Sequence, residues 1–207
     1  YVLAHDRPDP TQVLVAAPVM KNPRYRGQPK YFSDLIVRTE SRFKSIQDLR
    51  GATYVFNDEL SNSGYNLPRH RLLKLGETRG FFDKVLRSGS HEEASRMVST
   101  GQADASFVDS LVLEYDRAKG LGHAAAVRVL ESAGPAGICP LVASPAVPAL
   151  LRKTVEELLI GMRDVPEGRE ILDAALIDRF VHVEDANYDD IRQMQKAALD
   201  AGFPAIR

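Results

Sequence analysis

The sequence has too few cysteines for a disulfide and no apolar run long enough for a membrane span. Cys139 is the single cysteine among 207 residues, so no intrachain disulfide can form, and we expect a small buried side chain there. No stretch of about 18 apolar residues predicts a transmembrane helix, and residues 1–6 lack the basic region and apolar core of a signal peptide. The net charge of −1 provides no general attraction for nucleic acid or an anionic membrane. We therefore expect no nucleic-acid partner, and any anion site must be local.

The usual sequence patterns of metal sites and of nucleophilic catalysis are also lacking. The five histidines show no paired spacing on one helix face. Ser63, His91 and Asp109 have the residue types of a catalytic triad, but the Gly-x-Ser-x-Gly elbow is absent. We therefore expect no metal, no cofactor and no enzymatic activity, and a Ser/His hydrolase is the less favoured alternative.

What the sequence does contain is an alternation of strand-like and helix-like segments, which predicts an α/β fold. With 44% hydrophobic residues, the chain is long enough for one large domain or two lobes. The predicted strands are 13–19, 34–37, 52–57, 84–87, 105–108, 127–130 and 141–144. The predicted helices are 65–75, 91–100, 148–162 and 191–201.

One Gly/Pro-rich segment, residues 131–140, interrupts this alternation and cannot form a regular helix. We interpret it as a connection between lobes. The predicted organisation is one lobe over residues 40–132 and a second lobe from residues 1–39 plus 133–207.

The segment from Ser61 to Gly64 has the composition of an anion-binding turn. It follows a strand rich in β-branched and aromatic residues and opens a helix. Ser61 and Ser63 offer hydroxyl donors, Gly64 allows close approach of the backbone, and the free N–H groups of a helix start point toward the same place. An ordinary helix cap is the alternative, because Ser and Asn are favoured at helix starts whether or not a ligand binds.

Five segments, taken in order, resemble the phosphonate- and phosphite-binding subunits of ABC importers, and together they cover most of the chain. They are Tyr31-Phe-Ser-Asp-Leu-Ile-Val-Arg38, Ser45-Ile-Gln-Asp-Leu-Arg-Gly51, Ser61-Asn-Ser-Gly-Tyr-Asn-Leu-Pro68, Ser88-Gly-Ser-His-Glu-Glu-Ala94 and Gly101-Gln-Ala-Asp-Ala105. The resemblance implies a two-lobed type II periplasmic-binding fold whose lobes close over a ligand by a hinge motion. It also implies a periplasmic or otherwise extracytoplasmic receptor with a membrane permease as partner.

The resemblance also implies the ligand-binding residues. Ser61, Asn62 and Ser63 match the family's hydroxyl-rich loop, His91 matches its ligand-contacting histidine, and Tyr31 matches an aromatic residue at the mouth of the cleft. We expect His91 to contribute most when it is protonated. A further candidate, Asp109, stands where a strand would end at a cleft; it could orient His91 or accept a proton from the ligand, and a helix cap is the alternative.

The sequence departs from the family pattern in two places, one that affects which ligands can bind and one that affects the architecture. The positions where related receptors hold a ligand amine read Ser110-Leu-Val-Leu113 and Ala133-Gly-Pro-Ala-Gly-Ile138, without a carboxylate, although Glu114 lies one turn further on. We therefore expect phosphite, methylphosphonate or phosphate to bind better than 2-aminoethylphosphonate.

The second departure is at the N-terminus. About two strand-helix units of the family precede the point that matches Tyr1, so we expect the lobe of residues 1–39 plus 133–207 to lack them and a homo-oligomer to be possible. The alternative function is the ligand-sensing domain of a regulator with the same fold. An apolar signal region upstream would favour the importer subunit, and a helix-turn-helix would favour the regulator.

Overall fold

The computed structural model describes residues 1–206 and shows the predicted mixture of strands and helices. The strands are β1 (Val13–Met20), β2 (Lys30–Arg38), β3 (Thr53–Phe56), β4 (Lys84–Arg87), β5 (Ala105–Asp109), β6 (Val127–Gly137), β7 (Leu141–Ala143) and β8 (Ile177–Val181). The helices are α1 (Val2–His5), α2 (Leu67–Lys74), α3 (His91–Ser99), α4 (Ser110–Ala118), α5 (Gly122–Ala125), α6 (Ala149–Gly161), α7 (Pro166–Ala174) and α8 (Asp189–Asp200). The short helices α1 and α5, helix α7 and strand β8 were not predicted from the sequence.

The chain forms two compact units. Unit 1 contains residues 1–31 and 136–190, and unit 2 contains residues 32–135 and 191–206. The chain passes between the units three times, after Tyr31, Pro135 and Asp190. This division differs from the predicted lobes by three residues at 133–135 and, to a larger extent, at residues 32–39 and at the C-terminal segment, both of which were predicted to belong with residues 1–31.

Hydrogen bonds explain both differences. Strand β2 pairs with β5 of unit 2 from Ser33 opposite Asp109 to Val37 opposite Ala105, so it belongs to that sheet. The C-terminal segment is held by α2 and the turn before it. Arg69 Nη1 donates to the Pro204 carbonyl at 2.7 Å. The Ile206 N–H donates to the Tyr65 hydroxyl at 3.2 Å.

Unit 2 contains a five-stranded sheet in the order β4-β3-β5-β2-β6. Strands β3, β4 and β5 run parallel, whereas β2 is antiparallel to β5. All five residues of β5 are buried, as expected for a central strand covered on both faces. Because parallel strands end at the same edge of a sheet, the residues that follow β3, β4 and β5 are brought together there.

Helices pack against this sheet to form the core of unit 2. One cluster of buried hydrophobic residues in this core contains Ile36, Val55, Ala94, Val98, Ala103, Val108, Leu113, Ala124 and Val127. Helix α3 ends at Ser99, and Gly101 then takes a φ of 78°, a left-handed conformation that closes the helix at low steric cost. The prediction of a helix over residues 91–100 is therefore confirmed to within one residue.

Unit 1 contains a three-stranded sheet in the order β7-β1-β8, with both pairs antiparallel. Its core includes Val15, Ala16, Leu172 and Phe180. The predicted helix over residues 148–162 is present as α6, but none of its residues is buried.

The Gly/Pro-rich segment 131–140 forms no helix, as predicted. Strand β6 continues through it as far as Gly137, and the chain passes from unit 2 to unit 1 after Pro135. The expectation of a buried Cys139 is wrong, because that side chain is exposed. Over residues 1–206, no helix combines the length and the apolar character needed to cross a bilayer.

Candidate functional site

A π-helical turn over Asn62–Asn66 presents the serine-rich segment at the end of β3. Ser61 is its N-cap, and the Ser61 hydroxyl oxygen accepts a hydrogen bond from the Gly64 N–H at 3.0 Å. Asn62 Oδ1 accepts from the Asn66 side-chain amide at 2.9 Å. Of the two serines, Ser61 therefore serves as the cap, and the Ser63 hydroxyl is directed elsewhere. π-Helical turns occur frequently at functional sites.

Ser63 is buried, with 2% of its surface exposed, and its hydroxyl joins two other predicted site residues. The Ser63 Oγ lies 3.2 Å from Nε2 of His91. It also donates to Oδ2 of Asp109 at 3.5 Å, a long contact. The Ser63 carbonyl accepts from the Ser33 hydroxyl on β2, which anchors the turn to the sheet. Ser63, His91 and Asp109, three of the six predicted site residues, thus meet at one edge of the unit 2 sheet.

His91 is the first residue of α3, whose N-cap Ser90 accepts from the Glu93 N–H at 3.0 Å. Its Nδ1 accepts a hydrogen bond from the backbone N–H of Asp109 at 3.3 Å. Nδ1 is therefore unprotonated, and the proton of the neutral ring is on Nε2. Burial lowers the pKa of His91 to about 4.

The neutral ring corrects the expectation that protonated His91 contributes most. At pH 7 a histidine with a pKa of about 4 is uncharged. Protonation would place a second N–H at Nδ1, directly against the Asp109 N–H that now donates to it. In this structure His91 therefore offers an anion one neutral donor, Nε2–H.

Asn57 belongs to this group, although it was not among the predicted site residues. It follows β3, and its Nδ2 lies 3.3 Å from Nε2 of His91, while its Oδ1 is buried without a hydrogen-bond partner in the described part of the chain. Because Nε2 carries the proton, Asn57 can pair with it only through its amide oxygen, after rotation of the amide group. The sequence feature that could have identified Asn57 is its position as a polar residue directly after the buried strand β3.

Gly64 is required by the close approach of the turn to Asn57. A Cβ at Gly64 would lie 1.8 Å from Asn57 Oδ1 and 3.2 Å from His91 Cε1. No larger residue fits unless Asn57 moves. The predicted role of this glycine, a close backbone approach, is found here against a neighbouring side chain.

Asp109 combines a cap with an unusual electrostatic environment. Its Oδ1 accepts from the Leu111 N–H at 2.8 Å as the N-cap of α4, so the cap alternative is confirmed. Burial, the largest cause, raises the pKa of Asp109 to about 7; hydrogen bonds from Leu111 and Ser63 oppose that rise, and the charges of Asp34 and Glu114 add to it. Asp109 therefore exchanges a proton near neutral pH.

The order of hydrogen bonds in this group differs from that of a catalytic triad. In a triad the histidine Nε2 accepts the serine proton while its Nδ1–H donates to the carboxylate. Here Nδ1 of His91 accepts a backbone N–H, so Nε2–H donates to Ser63, and Ser63 donates to Asp109. With Nε2 already protonated, His91 cannot act as the base for Ser63, and the group instead presents donors.

Carboxyl groups lie near Asp109 on two elements. Asp34 of β2 is fully buried and accepts from the Ser132 hydroxyl at 2.6 Å. Glu114 of α4 is near enough for its charge to raise the pKa of Asp109. Glu114 is therefore an acid that could bind the amine of a ligand. The expected preference for ligands without an amine stays a prediction.

The remaining predicted site residue, Tyr31, lies in unit 1, where its side chain is buried with 2% of its surface exposed. Its assignment to the ligand site stays a prediction. The described residues contain no group of three or more His, Cys, Asp or Glu side chains arranged to hold a metal ion.

Comparison with known proteins identifies a family. Residues 1–188 match the family described as the periplasmic substrate-binding protein of phosphonate ABC transporters.

Solved structures with the same fold include two phosphonate-binding proteins. A binding protein component of an ABC phosphonate transporter from Pseudomonas aeruginosa has a TM-score of 0.78 at 21% identity, over 90% of this chain and 62% of that one. PhnD1 from Prochlorococcus marinus in complex with methylphosphonate has a TM-score of 0.78 at 18% identity, over 90% of this chain and 71% of that one. These likenesses confirm the predicted α/β, type II periplasmic-binding fold. The chain spans less than two thirds of the length of the Pseudomonas protein.

Proposed function

The chain belongs to the family of periplasmic substrate-binding proteins of phosphonate ABC transporters, and we propose that it binds a small phosphorus oxyanion as the solute-binding subunit of an importer. The proposed ligands are phosphite, a phosphonate or phosphate. The proposed ligand-binding residues are Tyr31, Ser61, Asn62, Ser63, His91 and Asp109, to which Asn57 is added for its contact with His91.

The observation that carries this proposal is the 3.2 Å contact between Ser63 Oγ and His91 Nε2. It places a hydroxyl and an imidazole N–H side by side, next to the start of the π-helical turn and the start of α3. Helix starts favour anions because their free N–H groups and dipoles carry partial positive charge. A micromolar site needs about 8 kcal/mol, and three or four hydrogen bonds to a charged ligand, at roughly 1.5–3 kcal/mol each, would supply much of it.

The family supports a solute-binding role for this site in preference to catalysis. Periplasmic or otherwise extracytoplasmic localisation and a membrane permease as partner are part of the proposal. The alternative of a regulator's sensing domain would use the same residues for the same ligand. The hydrolase alternative is disfavoured by the protonated Nε2 of His91, which cannot accept the Ser63 proton.

Titration calorimetry with methylphosphonate, phosphite and phosphate tests the proposal. We expect binding in the micromolar range or tighter for the wild type, and weaker binding by Ser63→Ala. Ser99→Ala is a matched control, because Ser99 lies at the C-terminal end of α3, where its hydroxyl donates to the Arg96 carbonyl. Absence of heat with all three ligands, or equal affinity in Ser63→Ala and wild type, would contradict the proposed site.

A further inference from the structure

We propose that Asp109 is a specificity-determining residue that selects oxyanions carrying an acidic proton. Its carboxylate accepts a hydrogen bond from a P–OH group of the bound ligand, so that hydrogen phosphonates, hydrogen phosphite and hydrogen phosphate bind whereas fully ionised sulfur oxyanions are rejected. This inference rests on the proposed function and assigns one residue of that site its role.

The position of Asp109 beside a donor is the geometric basis. Its Oδ2 lies 3.5 Å from Ser63 Oγ, and Ser63 Oγ lies 3.2 Å from His91 Nε2. An oxyanion that takes the Ser63 hydroxyl as a donor therefore comes within reach of a carboxyl oxygen. Two negative oxygens at that separation repel unless a proton lies between them.

The Asp109 carboxyl group is held in this orientation by its second oxygen. Oδ1 is engaged by the Leu111 N–H at 2.8 Å as the cap of α4. Rotating the carboxyl group away from Ser63 would break this cap and so destabilise the start of α4. Oδ2 is thus held toward Ser63, and only 8% of the surface of Asp109 is exposed.

The groups that face Asp109 oppose a second negative charge. Asp34 from β2 and Glu114 from α4 are acids whose charges add to the effect of burial, and His91 from α3 is neutral near pH 7. Above about pH 7 the Asp109 carboxyl has lost its own proton, so the proton between the two oxygens must come from the ligand. Binding should therefore take up protons from solution when the pH is above that range.

Two pairs of ligands of similar shape test the inference. Phosphate and sulfate form one pair, and methylphosphonate and methanesulfonate form the other. In each pair only the phosphorus compound keeps a protonated oxygen near pH 7. Calorimetry on wild type, Asp109→Asn and Glu92→Gln, in buffers of different ionisation enthalpy, measures affinity and proton uptake together. Asn keeps the α4 cap, and Glu92→Gln removes an exposed charge that pairs with Arg96.

At pH 8, where the Asp109 carboxyl is ionised, we expect the wild type and Glu92→Gln to prefer the phosphorus member of a pair by about tenfold or more, because one pH unit above the pKa corresponds to a tenfold cost of protonating Asp109 for the sulfur ligand. Asp109→Asn should reduce that preference at least about tenfold and abolish most of the proton uptake at pH 8. Wild-type binding of both members within about threefold, or an unchanged preference in Asp109→Asn, would overturn the inference while leaving the proposed function standing. Binding of neither phosphorus ligand by the wild type would overturn both.

Discussion

Ser63 and His91 are 28 residues apart in sequence, and their side chains meet with 3.2 Å between Oγ and Nε2. The contact exists because the segments after β3 and β4 leave the same edge of the parallel part of the unit 2 sheet. The Asp109 backbone N–H, from the end of β5, completes the arrangement by fixing the histidine tautomer. Three neighbouring strands thus determine the direction of one hydroxyl.

The two serines of the turn should have separable roles. Ser63→Ala removes a donor to a charged ligand and should weaken oxyanion binding by about 1–3 kcal/mol. Ser61→Ala removes the acceptor for the Gly64 N–H and should lower the free energy of unfolding by about 0.5–2 kcal/mol. Calorimetry and urea unfolding on both variants measure the two effects. A larger loss of stability in Ser63→Ala than in Ser61→Ala would contradict this assignment.

Gly64 and Asn57 should behave as a coupled pair. Gly64→Ala places a Cβ 1.8 Å from Asn57 Oδ1, which forces a displacement and should lower the free energy of unfolding by about 1–3 kcal/mol and weaken ligand binding. Adding Asn57→Ala removes the obstructing atom and should recover part of that stability. Gly122→Ala is the control, since nothing lies within 4 Å of a Cβ there. Strictly additive effects of the two substitutions would show that the contact is unimportant.

Asp109 and His91 should make opposite contributions to the pH dependence of stability. The pKa of Asp109 is raised from 3.8 to about 7, so the native state holds a proton that the unfolded state has lost, and its contribution falls as pH rises from about 4 to about 7. The pKa of His91 is lowered from 6.5 to about 4, so its contribution rises with pH from about 4 to about 6.5. In the wild type the two slopes, at most about 1.4 kcal/mol per pH unit each, oppose one another.

Single substitutions should expose the two slopes. In Asp109→Asn the free energy of unfolding should rise between pH 4 and 6.5 relative to wild type, because only the His91 contribution remains. In His91→Gln it should fall over the same range. Urea unfolding at half-unit pH intervals measures both. Parallel pH profiles for the two variants would exclude the assigned pKa shifts.

Ligands without an amine should bind better than 2-aminoethylphosphonate. The stretches Ser110–Leu113 and Ala133–Ile138 have no carboxylate to pair with an ammonium, and burying an unpaired charge costs several kcal/mol. Competition titrations against methylphosphonate measure the preference. If the aminated ligand binds better and Glu114→Gln reverses that order, Glu114 holds the amine and the prediction is wrong.

Local patterns in the sequence were sufficient for most elements and for the residue types of the site. Strand β1 and helices α3 and α6 were predicted within a residue or two of their bounds, because hydrophobic periodicity, capping serines and terminal glycines act over a few neighbouring residues. The cap of α4 at Asp109 was also weighed from sequence. In contrast, α7 and β8 were missed, and β2 was placed with the wrong part of the chain, because pairing partners depend on residues distant in sequence.

The site illustrates the same division at the level of single atoms. The sequence by itself determined that a serine-rich helix start, a histidine at a second helix start and an aspartate after a strand exist in this chain. Only the tertiary structure decided that Nδ1 of His91 accepts the Asp109 N–H, that Asn57 closes on Gly64, and that Asp109 is buried beside Ser63. Tautomer, pKa and steric fit depend on the distances and solvent exposure that strand pairing creates, and no local sequence pattern encodes these quantities.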